Sequence, residues 1–86
     1  MSTLVSRNVT LEGRRTSLRL ERAMWDALEE ICMREAQSMH DLCTHVDRIR
    51  AERTLTAGIR VFILEYYRRA ATEDGHNQAG HGTLER

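Results

Sequence analysis

Three polar side chains at alternate positions, Arg15, Ser17 and Arg19, carry the clearest chemistry in this sequence. Arginine donates two parallel hydrogen bonds to O6 and N7 of guanine, and the serine hydroxyl bonds to several bases. Residues at alternate positions of a β-strand share one face. The spacing therefore predicts either a polar face that reads base edges in the major groove of DNA, or the solvated face of an ordinary edge strand.

The intervening residues Thr16, Leu18 and Leu20 form a less polar face on the other side of this strand. A single strand with an apolar face and two unpaired edges is not stable alone in a small helical protein. We therefore expect the strand to pair with the same strand of a second copy. The result is an intermolecular antiparallel ribbon with arginine and serine outward; pairing only within one chain would contradict this expectation.

Charge is distributed unevenly along a chain whose formal net charge is zero. Residues 1–22 contain five arginines and two glutamates, a net charge of +3, and the acidic residues that balance them follow later. All thirteen basic residues are arginine, the better bidentate donor. This basic N-terminal region is typical of a localised phosphate-binding face. With only 86 residues the chain is expected to form one domain, stabilised by dimerisation.

Apolar residues recur at steps of three and four from about residue 22 to residue 37, which predicts a first helix. Ser38 interrupts this pattern. It is a good N-cap residue, and Asp41 follows three positions later, as in a short capping box. The sequence therefore predicts a second helix over about residues 39–50.

Thr54 or Thr56 is expected to cap a third helix over about residues 55–71. Gly58 lies inside this helix at a cost of about 1 kcal/mol relative to alanine, so it is expected to mark a close approach of another helix. The helices and the strand together supply an apolar set that we expect in the core of the dimer: Leu18, Leu20, Trp25, Leu28, Ile31, Leu42, Val46 and Ile49.

Free backbone N–H groups at the start of the second helix, at Ser38, Met39 and His40, form a candidate phosphate seat. The alternative is a plain N-cap without a ligand. Arg14 is expected to reach a phosphate as well, and Arg7 to do so from a flexible arm. Contacts of this kind position a protein on DNA and do not specify sequence.

Three regions follow from these patterns. Residues 1–13 are expected to form a flexible N-terminal arm. The alternative is a short strand over residues 8–11, which alternate weakly, with Glu12-Gly13 as a turn. Residues 14–71 are expected to form the folded domain. Residues 72–86 are polar and rich in glycine without an apolar stripe, which predicts a disordered tail.

Cys32 and Cys43 occupy apolar positions of predicted helices, which favours buried free thiols in a reducing compartment. Helical spacing does not bring these cysteines together with His40 and His45, and there is no Cys-x-x-Cys pair, so we expect no metal site. No catalytic motif is present, and we expect no catalytic residue, no cofactor and no enzyme activity. The sequence shows no signal peptide or membrane span, so we expect a cytoplasmic, nucleoid-associated protein.

Three segments of this chain resemble the ribbon-helix-helix family of bacterial DNA-binding proteins, the Arc- and methionine-repressor-like group. They are, in order, RTSLRLE at 15–21, WDAL at 25–28 and LTAGIRVFILEYY at 55–67. Two features depart from the family pattern. Ala36-Gln37 stands where the family often has glycine, and the additional C-terminal helix exceeds the minimal fold.

The resemblance implies a mainly α-helical, intertwined homodimer in which each chain adds one short strand to the ribbon. It also implies sequence-specific binding of double-stranded DNA, most simply by a bacterial or phage transcriptional repressor. The alternative is an assembly module or an antitoxin, in which the ribbon dimer is a platform. In that case helix 55–71 or the tail binds a protein partner, or the helix joins dimers into a higher oligomer. Otherwise helix 55–71 is expected to pack in the core or across the dimer.

Overall fold

The computed structural model describes the backbone of residues 3–79 and the side chains of residues 3–73. Its elements follow one another in the order expected of a ribbon-helix-helix domain with a third helix. They are β1 (Leu4–Leu11), β2 (Arg14–Glu21), α1 (Arg22–Glu35), α2 (Met39–Ile49) and α3 (Leu55–Ala79). The predicted ribbon-helix-helix fold, mainly helical, is thus confirmed.

The second strand of the ribbon comes from a different place than predicted. β2 pairs antiparallel with β1 of the same chain along its whole length, from Leu4 opposite Glu21 to Leu11 opposite Arg14. The chain therefore has two strands instead of one, and its ribbon is intramolecular. Residues that we expected in a flexible arm are ordered as β1.

A two-residue turn, Glu12-Gly13, closes this hairpin. Both residues have positive φ, 53° and 86°, as a type I′ hairpin turn requires. In the strand before the turn, Arg7 takes an inward-facing position between Val5 and Val9. A charged residue at that position interrupts the alternation that identifies a half-buried strand.

Local signals begin and end the helices much as predicted. Ser38 Oγ accepts a hydrogen bond from the Asp41 N–H at 3.0 Å, which confirms Ser38 as the N-cap of α2. Thr54 is the residue that caps α3, because its Oγ1 accepts from the Ala57 N–H at 3.1 Å. α1 ends at Ala36, which has φ 55° in the left-handed region that glycine usually occupies.

The inner face of the hairpin and all three helices share one core. Trp25 anchors it: its ring is buried and its Nε1 donates to the Val5 carbonyl at 2.8 Å. Seven of the eight residues expected in the dimer core are buried within the single chain, whereas Ile49 is 53 % exposed. The buried set is Val9, Leu11, Leu18, Leu20, Trp25, Leu28, Ile31, Cys32, Leu42, Cys43, Val46, Ile59 and Ile63.

Helix α3 crosses α2 at Gly58, which confirms the predicted close approach of another helix at this residue. A Cβ atom at this position would lie 2.8 Å from Arg50 Cβ and 3.4 Å from Val46 Cγ1. α3 also runs further than expected, to Ala79, so residues 72–79 of the expected disordered tail are helical. The rest of that tail, residues 80–86, lies outside the described residues.

Candidate nucleic-acid interface

The side of the hairpin that is turned away from the helices, here called the outer face, carries six polar residues in cross-strand register. Ser6 lies opposite Arg19, Asn8 opposite Ser17, and Thr10 opposite Arg15. Five of the six are exposed, and Thr10 is half-buried. The structure therefore brings Arg15, Ser17 and Arg19 together on one face, and it adds a parallel row from β1.

The guanidinium groups on this face, those of Arg15 and Arg19, form no ion pair with another described residue. The ion pairs found among the described residues join Arg7 to Glu29, Arg48 to Glu12, Arg50 to Asp47 and Arg60 to Glu21. Arg15 and Arg19 belong to none of them. Two exposed arginines without an acidic neighbour are available to an anionic or acceptor-rich ligand, and phosphate oxygens and guanine edges are such ligands.

The free edge of β2 presents backbone groups as well. The two-residue turn makes Leu11 and Arg14 a hydrogen-bonded pair, and such pairs alternate along an antiparallel ladder. The N–H and C=O groups of Arg15, Ser17 and Arg19 therefore point away from β1. Among the described residues no other backbone group bonds to them. An open edge of this length is a template for another strand.

The opposite edge of the hairpin is closed by α2. The Thr10 N–H donates a hydrogen bond to Nδ1 of His40 at 2.9 Å, so the first turn of α2 lies against β1. Because Nδ1 is the acceptor, the ring proton of neutral His40 is on Nε2. The side chain is exposed, so this N–H is available as a donor at the β1 edge of the hairpin.

The other predicted phosphate contacts occupy different places. Met39 is half-buried against the core, and Ser38 uses its hydroxyl to cap α2. Arg14 is exposed at the turn end of β2, in register with Leu11 on the inner side. It makes no ion pair among the described residues.

Arg7 is not brought to the outer face. Its Nη1 donates to Glu29 Oε2 at 2.8 Å, and its guanidinium lies over the Trp25 ring, 4.7 Å from the centroid. Both contacts hold the side chain against α1, so Arg7 ties β1 to the core of the domain. This long-range role has no signature in the local sequence.

Sequence reasoning missed the β1 row, Ser6, Asn8 and Thr10, as part of the polar surface. The available signal was Glu12-Gly13 between two segments of alternating polarity, since a short glycine turn in that setting indicates a hairpin. A two-residue turn at Glu12-Gly13 sets a register in which all three residues lie beside Arg15, Ser17 and Arg19.

The cysteines contribute no reactive group to this surface. Cys32 and Cys43 are both free and buried. Burial, with a smaller effect of nearby Cys32, raises the pKa of the Cys43 thiol to about 11, and a thiol of that kind is a poor nucleophile and metal ligand. The described residues contain no group of three or more His, Cys, Asp or Glu side chains that would hold a metal ion.

Glu21, at the end of β2, is paired with a helix instead of remaining free near the arginines. Its Oε1 accepts from Arg60 Nη2 at 2.8 Å. This hydrogen bond is the main reason why the pKa of Glu21 lies below its usual value. The contact neutralises the acidic residue of β2 and leaves the outer face basic.

Comparison with known families agrees with this geometry. A family model described as a ribbon-helix-helix domain matches residues 4–67, which includes both strands, α1, α2 and the first half of α3. Searches of curated proteins and of solved structures found no match. Within the described part of the chain, no helix is long and apolar enough to span a membrane. The chain belongs to the ribbon-helix-helix domain family, a family of DNA-binding, non-enzymatic domains that generally dimerise.

Proposed function

We propose that this protein is a homodimeric transcriptional regulator, most simply a repressor, that reads double-stranded DNA with the arginines of β2. One observation carries the proposal. Arg15, Ser17 and Arg19 share an exposed face, and the two guanidinium groups have no acidic partner among the described residues. Bound at a promoter on the nucleoid, such a protein excludes RNA polymerase.

The dimer forms when the free edge of β2 pairs antiparallel with the same edge of a second copy. A two-fold axis perpendicular to the ribbon leaves both outer faces on one side. The strand order becomes β1-β2-β2-β1. The sheet then has four strands, in place of the two-stranded intermolecular ribbon predicted from the sequence, and β2 of each copy forms its central pair. The open backbone groups of Arg15, Ser17 and Arg19 support this arrangement, because natural edges of such length are normally covered.

In this dimer the central pair of strands, β2 of each copy, contacts the bases. Arg15 and Arg19 of each copy enter the major groove, where a bidentate contact to guanine contributes about 1–3 kcal/mol of discrimination. Ser17 lies between them and accepts or donates according to the base. Because the two copies are related by a two-fold axis, the preferred site is a palindrome.

Phosphate contacts position this reading face. Arg14 at the turn and the first turn of α2, with Ser38, Met39 and His40, lie at the margins of the sheet, and the positive end of the helix dipole favours a phosphate. The Nε2–H of His40 is the best-placed side-chain donor of α2, since its other nitrogen is bonded to β1. Arg7 is left out of this group because Glu29 holds it.

The alternative, a protein-interaction module or an antitoxin, depends on a free C-terminal surface. Helix α3 instead buries Ile59 and Ile63 in the core. Tyr66 and Tyr67 also point toward α1, where their hydroxyl groups donate to Glu35 and Glu30. Most of the apolar face of α3 is thus used within the chain, which favours the DNA-binding function.

Fluorescence anisotropy with labelled duplex DNA tests the proposal. We expect the affinity to fall steeply as salt concentration rises, because phosphate contacts release counterions. Arg19→Ala should lower the affinity for the preferred site, whereas Arg68→Ala should not. Arg68 is the matched control, since it is an exposed arginine on α3 whose side chain makes no ion pair among the described residues. Equal effects of the two substitutions would contradict the proposal.

A further inference from the structure

We infer that Ser6, Asn8 and Thr10 of β1 bind the phosphate backbone on either side of the groove that β2 reads. This inference rests on the proposed β2–β2 dimer and deepens it. It assigns a nucleic-acid contact to a row of residues that carries no charge. The ligand is the DNA strand at the groove margin, and the contact is non-specific with respect to base.

The width of the sheet separates the roles of the two strands. Neighbouring strands lie about 4.8 Å apart, so the outermost strands of a four-stranded sheet are about 14 Å apart. The major groove is about 12 Å wide. The central β2 pair, about 5 Å across, fits within the groove, whereas the two β1 strands lie above its walls. Those walls are the sugar-phosphate backbones.

The chemistry of the β1 row suits this position. Serine, threonine and asparagine side chains are common donors to phosphate oxygens, together with arginine and lysine. Asn8 lies opposite Ser17, at the middle of the reading face, and it is exposed without a hydrogen-bond partner among the described residues. Ser6 and Thr10 flank it on the same face. Two copies of the chain would place one such row along each backbone.

β1 is also held in place before DNA arrives. The Thr10 N–H is bonded to His40, the Val5 carbonyl accepts from Trp25, and Arg7 is paired with Glu29. The bond to His40 fixes the strand at its edge, and the contacts with Trp25 and Glu29 fix it to α1. A strand that is already ordered loses little conformational entropy on binding, so contacts from uncharged side chains still contribute to affinity.

The test compares Asn8→Ala with Arg19→Ala. The probes are a duplex selected by the wild-type protein from a random library and a scrambled duplex of equal length. We expect Asn8→Ala to weaken binding to both duplexes by the same factor, about tenfold for two lost hydrogen bonds per dimer. The dependence of affinity on salt should stay unchanged, because no charge is removed. Arg19→Ala should weaken binding to the selected duplex more than to the scrambled one.

Three results would overturn the inference, and they are distinguishable. If Asn8→Ala changes the base preference of the protein, β1 lies inside the groove and reads bases. If it changes neither affinity nor preference while Arg19→Ala still acts, β1 does not touch DNA and the proposed function stands. If the wild-type protein recovers no duplex from the random library, the proposed function fails together with the inference. Thermal unfolding by circular dichroism confirms that the exposed substitution leaves the fold intact.

Discussion

The Thr10 N–H donates a hydrogen bond to His40 Nδ1 at 2.9 Å, which joins the outer strand of the hairpin to the first turn of α2. Thirty residues separate the two partners in sequence. Through this bond the polar outer face and the candidate phosphate seat become parts of one rigid unit. Their relative position then does not have to be established when DNA binds.

Replacing His40 with alanine should therefore affect stability and DNA affinity together. The Thr10 N–H loses its acceptor, and we expect the free energy of unfolding to fall by about 1 kcal/mol. Affinity should fall for all sequences alike, because a positioning contact is lost. Urea denaturation and anisotropy measure the two effects.

Thr10→Ala is the control for stability, because it keeps the backbone N–H and with it the bond to His40. A His40→Ala protein as stable as the wild type would show that the bond does not hold the hairpin.

Ala36→Gly should stabilise the protein. Ala36 ends α1 with φ 55°, and its N–H and that of Gln37 bond to the carbonyl groups of Met33 and Cys32. An L-residue in this conformation is less favourable than glycine by roughly 1 kcal/mol. We expect the midpoint of urea denaturation to rise, while the m-value, the dependence of the free energy of unfolding on urea concentration, stays unchanged. A lower midpoint would mean that the added freedom of the unfolded chain outweighs the relief of strain.

Gly58→Ala should destabilise the protein although alanine is the better helix former. The new Cβ would lie 2.8 Å from Arg50 Cβ. Arg50 is the C-cap of α2, and its Cβ cannot move without shifting the backbone at the end of that helix. Overpacking of this kind costs about 1–3 kcal/mol, more than the gain in helix propensity of about 1 kcal/mol. Thermal unfolding measures the difference, and a higher melting temperature would show that α2 and α3 separate at little cost.

Ile49→Ser should weaken the dimer. This residue was expected in the dimer core, yet in the single chain it is 53 % exposed at the end of α2. Because only about half of the side chain is exposed, a partner that buries it would recover about 1–1.5 kcal/mol per side chain, twice in a symmetric dimer. Sedimentation equilibrium should show at least a tenfold higher dissociation constant.

Met33→Ser is the matched control for this substitution, because Met33 is 82 % exposed on α1. If both variants dimerise like the wild type, Ile49 is not part of the interface.

The elements that were predictable from sequence depend on neighbours close in the chain. The apolar stripe of α1 and the Ser38 cap arise from residues within a turn or two of one another. The crossing at Gly58 was predictable because glycine inside a helix indicates a close approach of another helix. The hairpin was not predictable in the same way. Arg7 breaks the pattern of β1, and its charge is accommodated by Glu29 and Trp25, which lie on α1, after β2 in the chain.

In the candidate site too, the features that depend on nearby residues were predictable, and those that depend on contacts between distant segments were not. Alternation alone placed Arg15, Ser17 and Arg19 on one face, because strand geometry has a fixed period of two. Whether their strand pairs with β1 or with another chain depends on backbone hydrogen bonds between distant segments, and local composition does not encode these. The left-handed conformation of Ala36 was not predictable from its residue type either. Alanine favours the right-handed helix, and the turn between α1 and α2 places it at φ 55°.

Base reading by β2 is tested by selecting bound duplexes from a random DNA library. The selection uses the wild-type protein and a variant with Arg15→Ala, Ser17→Ala and Arg19→Ala together. We predict that the wild type enriches a palindrome containing guanines and that the variant, folded by circular dichroism, enriches none. Recovery of the same motif by both proteins, or of no motif by the wild type, would contradict the claim that β2 reads the bases.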